Sequence, residues 1–327
     1  MDKLSISGVS PSFNRLGMGC WAIGGPMYFG ADAVGWGPTD DDESIRALHA
    51  AFEDGIQFFD TADMYGGGHS EKLVGEAFAD RRDEVVIATK FGNRFESETR
   101  KMLPEPGVSP DYIRSACEAS LKRLGTDHID LYQFHVNDHP ADQIDDIIET
   151  LDGLVEAGKI KAYGWSTDFP DRATAFLKAR SCASFQYQFN VFDPNPAMVE
   201  ICEKNGMIGI NRGPLAMGLL TGKYKPNTAL HKDDVRGQNA PTWLQYFRDG
   251  APNSEFLKRL ESIREILTSG GRTLTQGALA WNWGKSCVNL PIPGVRTVAQ
   301  AKENAGALSF GPLSADQVAE VDRLLDR

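Results

Sequence analysis

The chain predicts an α/β fold, a (β/α)8 barrel with an N-terminal β-hairpin and a long loop over residues 214–253. Three observations predict it. Apolar strand-like runs alternate with amphipathic helix-like segments over most of the 327 residues, and such alternation gives parallel strands with helices outside. There are eight such runs, the number that closes a β/α barrel. No Gly-x-Gly-x-x-Gly follows any of them, which weighs against a doubly wound dinucleotide-binding sheet.

The elements follow in order. Leu4-Ser5-Ile6 and Phe13-Asn14-Arg15-Leu16 suit a hairpin across the barrel bottom. Strands are expected near 16–20, 56–60, 84–89, 128–134, 160–165, 183–189, 207–212 and 288–292. Thr39 and Asp40 precede Glu43 as in a capping box, and Ala47, Leu48, Ala51 and Phe52 continue at helical spacing. Ser109-Pro110 opens a helix that Gly125 ends. Ile144, Ile147, Ile148, Leu151 and Leu154 form an apolar stripe ended by Gly158. Helices near 254–268, 274–283, 297–306 and 314–326 finish the chain. No interdomain linker breaks the alternation, so residues 1–327 read as one domain. The stretch 214–253 is too long for a simple connection, and loops of that size are functional lids or disordered segments.

Composition narrows the function. The formal net charge of -11 argues against unaided binding to nucleic acid or to an anionic membrane. No apolar run reaches the roughly 18 residues of a membrane span. The N-terminus shows no basic-then-apolar leader. Cys20, Cys117, Cys182, Cys202 and Cys287 are scattered and odd in number, which suits free buried thiols in a reducing cytoplasm.

The chemistry lies at the strand ends, where β/α barrels carry their active sites. The second run ends in Asp60, the third in Lys90 and the fourth in His135, and Tyr65 follows Asp60 by five residues. An unassisted phenol has a pKa of about 10 and is a poor acid at neutral pH. A lysine cation beside it stabilises the phenolate and lowers that value. An aspartate holds the lysine charged, and a histidine orients a substrate oxygen or relays its proton. The set suits donation of a proton to a carbonyl oxygen. No side chain delivers a hydride, so a redox reading requires a cofactor. A metal site at His135, Asp138 and His139 is disfavoured because Pro140 interrupts helical geometry. A Schiff-base role for Lys90 is disfavoured because Asp60 keeps the amine protonated.

Asp60 and Tyr65 in FFDTADMYG, Lys90 in VVIATKFG and His135 in LYQFHVND resemble the catalytic tetrad of the aldo-keto reductases. The resemblance covers roughly residues 12–307. It implies a barrel that binds an extended NADP(H), with NAD(H) also admitted, and reversible reduction of an aldehyde or ketone to the alcohol. It implies Tyr65 as general acid, Lys90 and Asp60 as its tuners, and His135 with Trp21 and Tyr65 at the substrate. The partner is then a small carbonyl or alcohol, and the sequence assigns no oligomeric state. Ser166, Thr167 and Gln186 match the carboxamide contacts, with Thr167 in place of the usual asparagine and Asp168 as its substitute. Arg212 stands where many members place an aromatic that stacks on nicotinamide, and a guanidinium plane can stack as well. Leu215, Gly218, Leu220, Gly222 and Lys223 match the loop that crosses the pyrophosphate. Gly294, Arg296, Gln300, Glu303 and Asn304 match the adenosine end, where Arg296 suits a 2'-phosphate. Tyr28 and Trp36 are further candidates for the pocket wall. Two other readings stay open: a cofactor-binding regulatory subunit with little turnover, and a sugar or polyol dehydrogenase working oxidatively.

Overall fold

A computed structural model describes residues 2–237, 240–241 and 243–327. The eight strands form one parallel sheet in chain order. They are β1 Gly17–Gly19, β2 Phe58–Asp60, β3 Val86–Phe91, β4 Ile129–Phe134, β5 Ile160–Ser166, β6 Cys182–Gln188, β7 Ile208–Arg212 and β8 Asn289–Pro291. The sheet closes just past β8, where Gly19 bridges Gly294 and the Gly19 amide donates to the Pro293 carbonyl at 3.0 Å. A side chain does not fit at this seam. A Cβ on Gly19 would lie 2.7 Å from the Ile292 carbonyl oxygen.

The period-2 alternation of strands sorts the barrel interior into levels. Phe58, Val86, Leu131, Ala162, Ile208 and Leu290 fill the lower levels as one buried apolar cluster, joined below by Ile6 and Phe13. Burial of each large apolar side chain contributes about 1.5–3 kcal/mol. Two or four residues further on, the inward positions become polar. They carry Asp60 on β2, Lys90 on β3, Gln133 on β4 with His135 just past its end, Gln186 and Gln188 on β6, and Arg212 on β7. The functional end of the barrel is thus the polar end of the same strands.

The outward positions pack against the helices. Phe59, Ile87, Tyr132, Trp165, Phe185 and Tyr187 belong to the main core with apolar residues of the surrounding helices. Helix α1 (Asp41–Glu53) is capped by the Asp40 carboxylate, which accepts from the Glu43 amide at 3.0 Å. Such a cap contributes about 1 kcal/mol. The Glu43 carboxylate does not return to the cap, so the expected capping box is only half formed. It accepts instead from Arg46 and from the Val298 amide. Helix α2 is His69–Ala77, α3 Pro110–Leu124 and α4 Asp145–Glu156. Next come α5 Pro170–Phe176 and α6 Pro196–Asn205, and four more helices, α7 Ser254–Leu267, α8 Leu274–Lys285, α9 Val298–Gly306 and α10 Ala315–Leu324, complete the C-terminal part.

Three features differ from the sequence expectation. The N-terminal hairpin is reduced to one antiparallel bridge, Leu4 with Phe13. A small four-stranded sheet joins residues 28–33 to residues 95–102, which links the loops after β1 and β3. Its strands are two residues long, too short to show alternation in sequence. Cys287 is exposed, whereas the other four cysteines are buried thiols. Among the described residues no helix is long and apolar enough to cross a membrane.

Candidate active site

Asp60 ends β2, and the chain then turns so that Tyr65 comes back over the barrel mouth. The turn is held by close backbone packing. Gly66 has φ 62, and a Cβ there would lie 2.0 Å from the Gly24 carbonyl oxygen. Only glycine meets both conditions. The Thr61 hydroxyl donates to Ser70 Oγ at 2.8 Å, and Ser70 donates to the Cys20 carbonyl at 2.7 Å. These bonds pin the start of α2 to β1 and β2.

The structure brings Asp60, Tyr65, Lys90 and His135 together. Lys90 is fully buried, and its ammonium makes three hydrogen bonds. It donates to Asp60 Oδ2 at 2.6 Å, to the Thr61 carbonyl at 2.7 Å and to the Tyr65 hydroxyl at 3.3 Å. Burial alone would lower its pKa, but Asp60 and Tyr65 outweigh burial and the net shift is upward. Lys90 is therefore a cation and not a free amine nucleophile.

Tyr65 departs from the sequence expectation. Burial pushes its phenol above the ordinary value, and the opposing pull of Lys90 does not offset it. Desolvation disfavours the phenolate more than one cation favours it. The Tyr65 ring lies 6.0 Å from the Trp21 ring in a stacked arrangement and 6.0 Å from His135 edge-on. His135 is driven well below the ordinary histidine value by burial, Lys90 and Arg212. Its imidazole is neutral at physiological pH, and its Nδ1 has no hydrogen-bond partner in the protein.

A cleft of about 1150 Å3 opens above these groups. Its wall includes Trp21, Asp60, Tyr65, His135, Ser166, Gln186 and Arg212. It also includes Leu215, Gly218, Lys223, Gly294, Arg296, Gln300, Glu303 and Asn304. Three expected contacts stand off the wall. Thr167 is buried, and its hydroxyl donates to the Asn137 carbonyl at 2.7 Å. Leu220 is buried in the main core. Gly222 has φ 73 and caps the short helix Ala216–Thr221. Trp36 reaches the wall, 5.6 Å from Trp21, whereas Tyr28 lies in the small sheet. His139 points elsewhere, with its Nε2 bonded to the Gln143 carbonyl at 2.9 Å.

Arg212 is held by its neighbours. One guanidinium nitrogen pairs with the Asp168 carboxylate, and another donates to Gln188 Oε1 at 3.0 Å. Asp168 also accepts from the Gln188 amide at 2.7 Å. Its carboxylate is therefore already engaged on both oxygens.

Three further groups of the site were not expected from the sequence. Gln133 is buried against Asp60. Arg236 lines the cleft from within the long loop and is 6% exposed. Glu43 also lines the cleft and accepts from the Val298 amide at the start of α9. Only Gln133 had a sequence signal, its place two residues before His135 on the same strand face.

The family model described as the aldo/keto reductase family matches residues 15–326. The chain belongs to that family. It is an oxidoreductase of the carbonyl and alcohol class. An aldo-keto reductase of Schizosaccharomyces pombe, whose name specifies NADP(+), is 32% identical, with 95% of this chain and 88% of that protein covered. The solved glycerol dehydrogenase of Gluconobacter oxydans is 32% identical, with a TM-score of 0.83 over 100% of this chain and 95% of that one. The holo form of an aldo-keto reductase from Bacillus halodurans is 29% identical, with a TM-score of 0.78 over 99% and 96%. The (β/α)8 barrel derived from the alternation of strands and helices is therefore the family's fold.

Proposed function

We propose that the protein reduces an aldehyde or ketone to the alcohol, reversibly, using NADP(H), with Tyr65 as general acid. One observation carries the reading. Every N–H of the Lys90 ammonium is committed, one of them to the Tyr65 oxygen. The phenol thus accepts from Lys90, and its own proton is left for an acceptor in the cleft.

The cleft residues fit a dinucleotide. Ser166 and Gln186 line the wall beside the tetrad, where Gln186 Oε1 is free to accept from an amide. Ala216, Met217 and Gly218 hold positive φ angles of 48°, 55° and 91°, which turns the backbone of this loop along the groove. Lys223 and Arg296 supply cations for phosphate. When bound, the nicotinamide supplies the hydride that no side chain here can give.

Around that group the chain's own residues do the acid–base work. Neutral His135 orients the carbonyl oxygen toward Tyr65. Tyr65 protonates that oxygen as negative charge builds on it, and Lys90 stabilises the phenolate left behind. The raised phenol pKa keeps the proton in place until that charge develops. The glycerol dehydrogenase activity named for the Gluconobacter relative supports a second reading, oxidation of a polyol, in which Tyr65 works in reverse as the base.

The test is loss of NADPH absorbance with a reactive aromatic aldehyde, in wild type and Tyr65→Phe. Turnover should fall by about 10²–10⁴ in the variant, with NADPH affinity nearly intact. Normal turnover by Tyr65→Phe would overturn the assignment.

A further inference from the structure

We infer that Gln133 is a positioning residue that locks the orientation of the Gln186 amide, and through it the acceptor offered to the nicotinamide carboxamide. The inference rests on the reductase reading above and goes beyond it, because Gln133 does not line the cleft.

Gln133, Gln186 and Asp60 are all buried, at 0%, 1% and 2% exposure. A carboxylate only accepts hydrogen bonds. Both glutamines therefore turn their NH2 groups toward Asp60 Oδ1, Gln133 at 3.1 Å and Gln186 at 2.7 Å. Gln186 uses its second N–H on Gln133 Oε1 at 3.2 Å. Both of its amide protons are thus spent on buried oxygens that cannot donate.

A flip of Gln186 would set its carbonyl oxygen against the Asp60 carboxylate and against Gln133 Oε1. Two buried acceptor pairs would face each other, and two hydrogen bonds would be lost. Gln186 lines the cleft beside Tyr65 and Ser166, and locked as it is, its Oε1 is the side-chain polar atom not engaged by Asp60 or Gln133. That atom accepts from a carboxamide N–H and repels a carboxylate in the same place. The same clasp holds Asp60 Oδ1 so that Oδ2 stays on Lys90 at 2.6 Å. Without Gln133 Oε1, only the single bond to Asp60 would orient Gln186.

The test measures ligand binding by fluorescence titration. Gln133→Met keeps the bulk and removes the amide. NADPH should bind about five- to twentyfold more weakly to this variant. Adenosine 2',5'-bisphosphate, which lacks the nicotinamide, should bind as tightly as to wild type. In the Gln186→Met background, adding Gln133→Met should cause no further loss, because the two act as one unit. Unchanged NADPH affinity would overturn the inference. So would equal weakening of both ligands, or losses that add in the double variant, since either marks a merely structural role. Failure of the wild-type chain to bind NADPH would instead overturn the reductase reading itself.

Discussion

The Arg236 guanidinium lies over the Trp36 ring, 4.5 Å from its centroid. The same guanidinium is held by the Asp234 carboxylate and donates to the Met217 carbonyl at 2.9 Å. Next to it, the Val235 amide donates to the Gly35 carbonyl at 2.8 Å. The loop after β7 is thereby tied across the cleft to the loop after β1. Trp36 in turn packs edge-on against Trp21.

This tie gives a kinetic prediction. A cation over a ring with its hydrogen bonds buried is worth about 2 kcal/mol, so Arg236→Gln should loosen the strap. We expect NADPH to dissociate about tenfold faster, with association little changed. Stopped-flow fluorescence measures both rates. An unchanged dissociation rate would show that the strap does not retain the cofactor.

Glu43 gives a prediction about cofactor choice. Its carboxylate accepts from the Val298 amide at 2.9 Å, at the start of α9 beside Arg296. Helix N-termini are natural phosphate sites, and here a carboxylate already holds that position. Glu43→Gln should raise the NADPH-to-NADH ratio of kcat/KM by about threefold or more, since like charges repel. Steady-state kinetics with both cofactors measures the ratio, and a falling ratio would contradict the argument.

Asp63 gives a prediction about stability. It is 1% exposed, and its Oδ1 has no hydrogen-bond partner. Burial and the nearby Glu71 raise its pKa well above the ordinary carboxylate value, against the pull of Arg123 and Lys90. The folded state thus holds this acid more protonated than the unfolded chain does. Its contribution to stability is full below about pH 4 and is lost as pH rises toward the folded value. Asp63→Asn removes that loss. We expect it to stabilise the protein by about 1–2 kcal/mol at pH 8, and by less at pH 5. Denaturant unfolding at the two pH values decides, and an equal effect at both would refute the explanation.

Much of the site is legible in sequence because a strand that is buried on both faces reads as a continuous apolar run. In such a run Asp60, Lys90 and His135 stand out at the ends. Gln133 sits in the same run and shares the inward face with His135, yet a polar residue inside a strand carries no sign of what it touches. Arg236 has no local signal at all. Its place is set by Trp36, far away in the chain, and by a loop without periodicity. The phenol of Tyr65 shows a different limit. The sequence supplies Lys90, which pulls the pKa down, but not the depth of burial, which pushes it up and prevails. Thr167 likewise aligns with a cofactor contact, but its short side chain turns to Asn137 instead.

The bridge between Gly19 and Gly294 closes the sheet where both residues also line the cleft. Closure of the ring and occupancy of the groove therefore share one stretch of main chain. A ligand lying there would brace the two ends of the sheet against each other. Hydrogen exchange at the Gly19 amide would then report, from the base of the groove, whether the clasp is loaded.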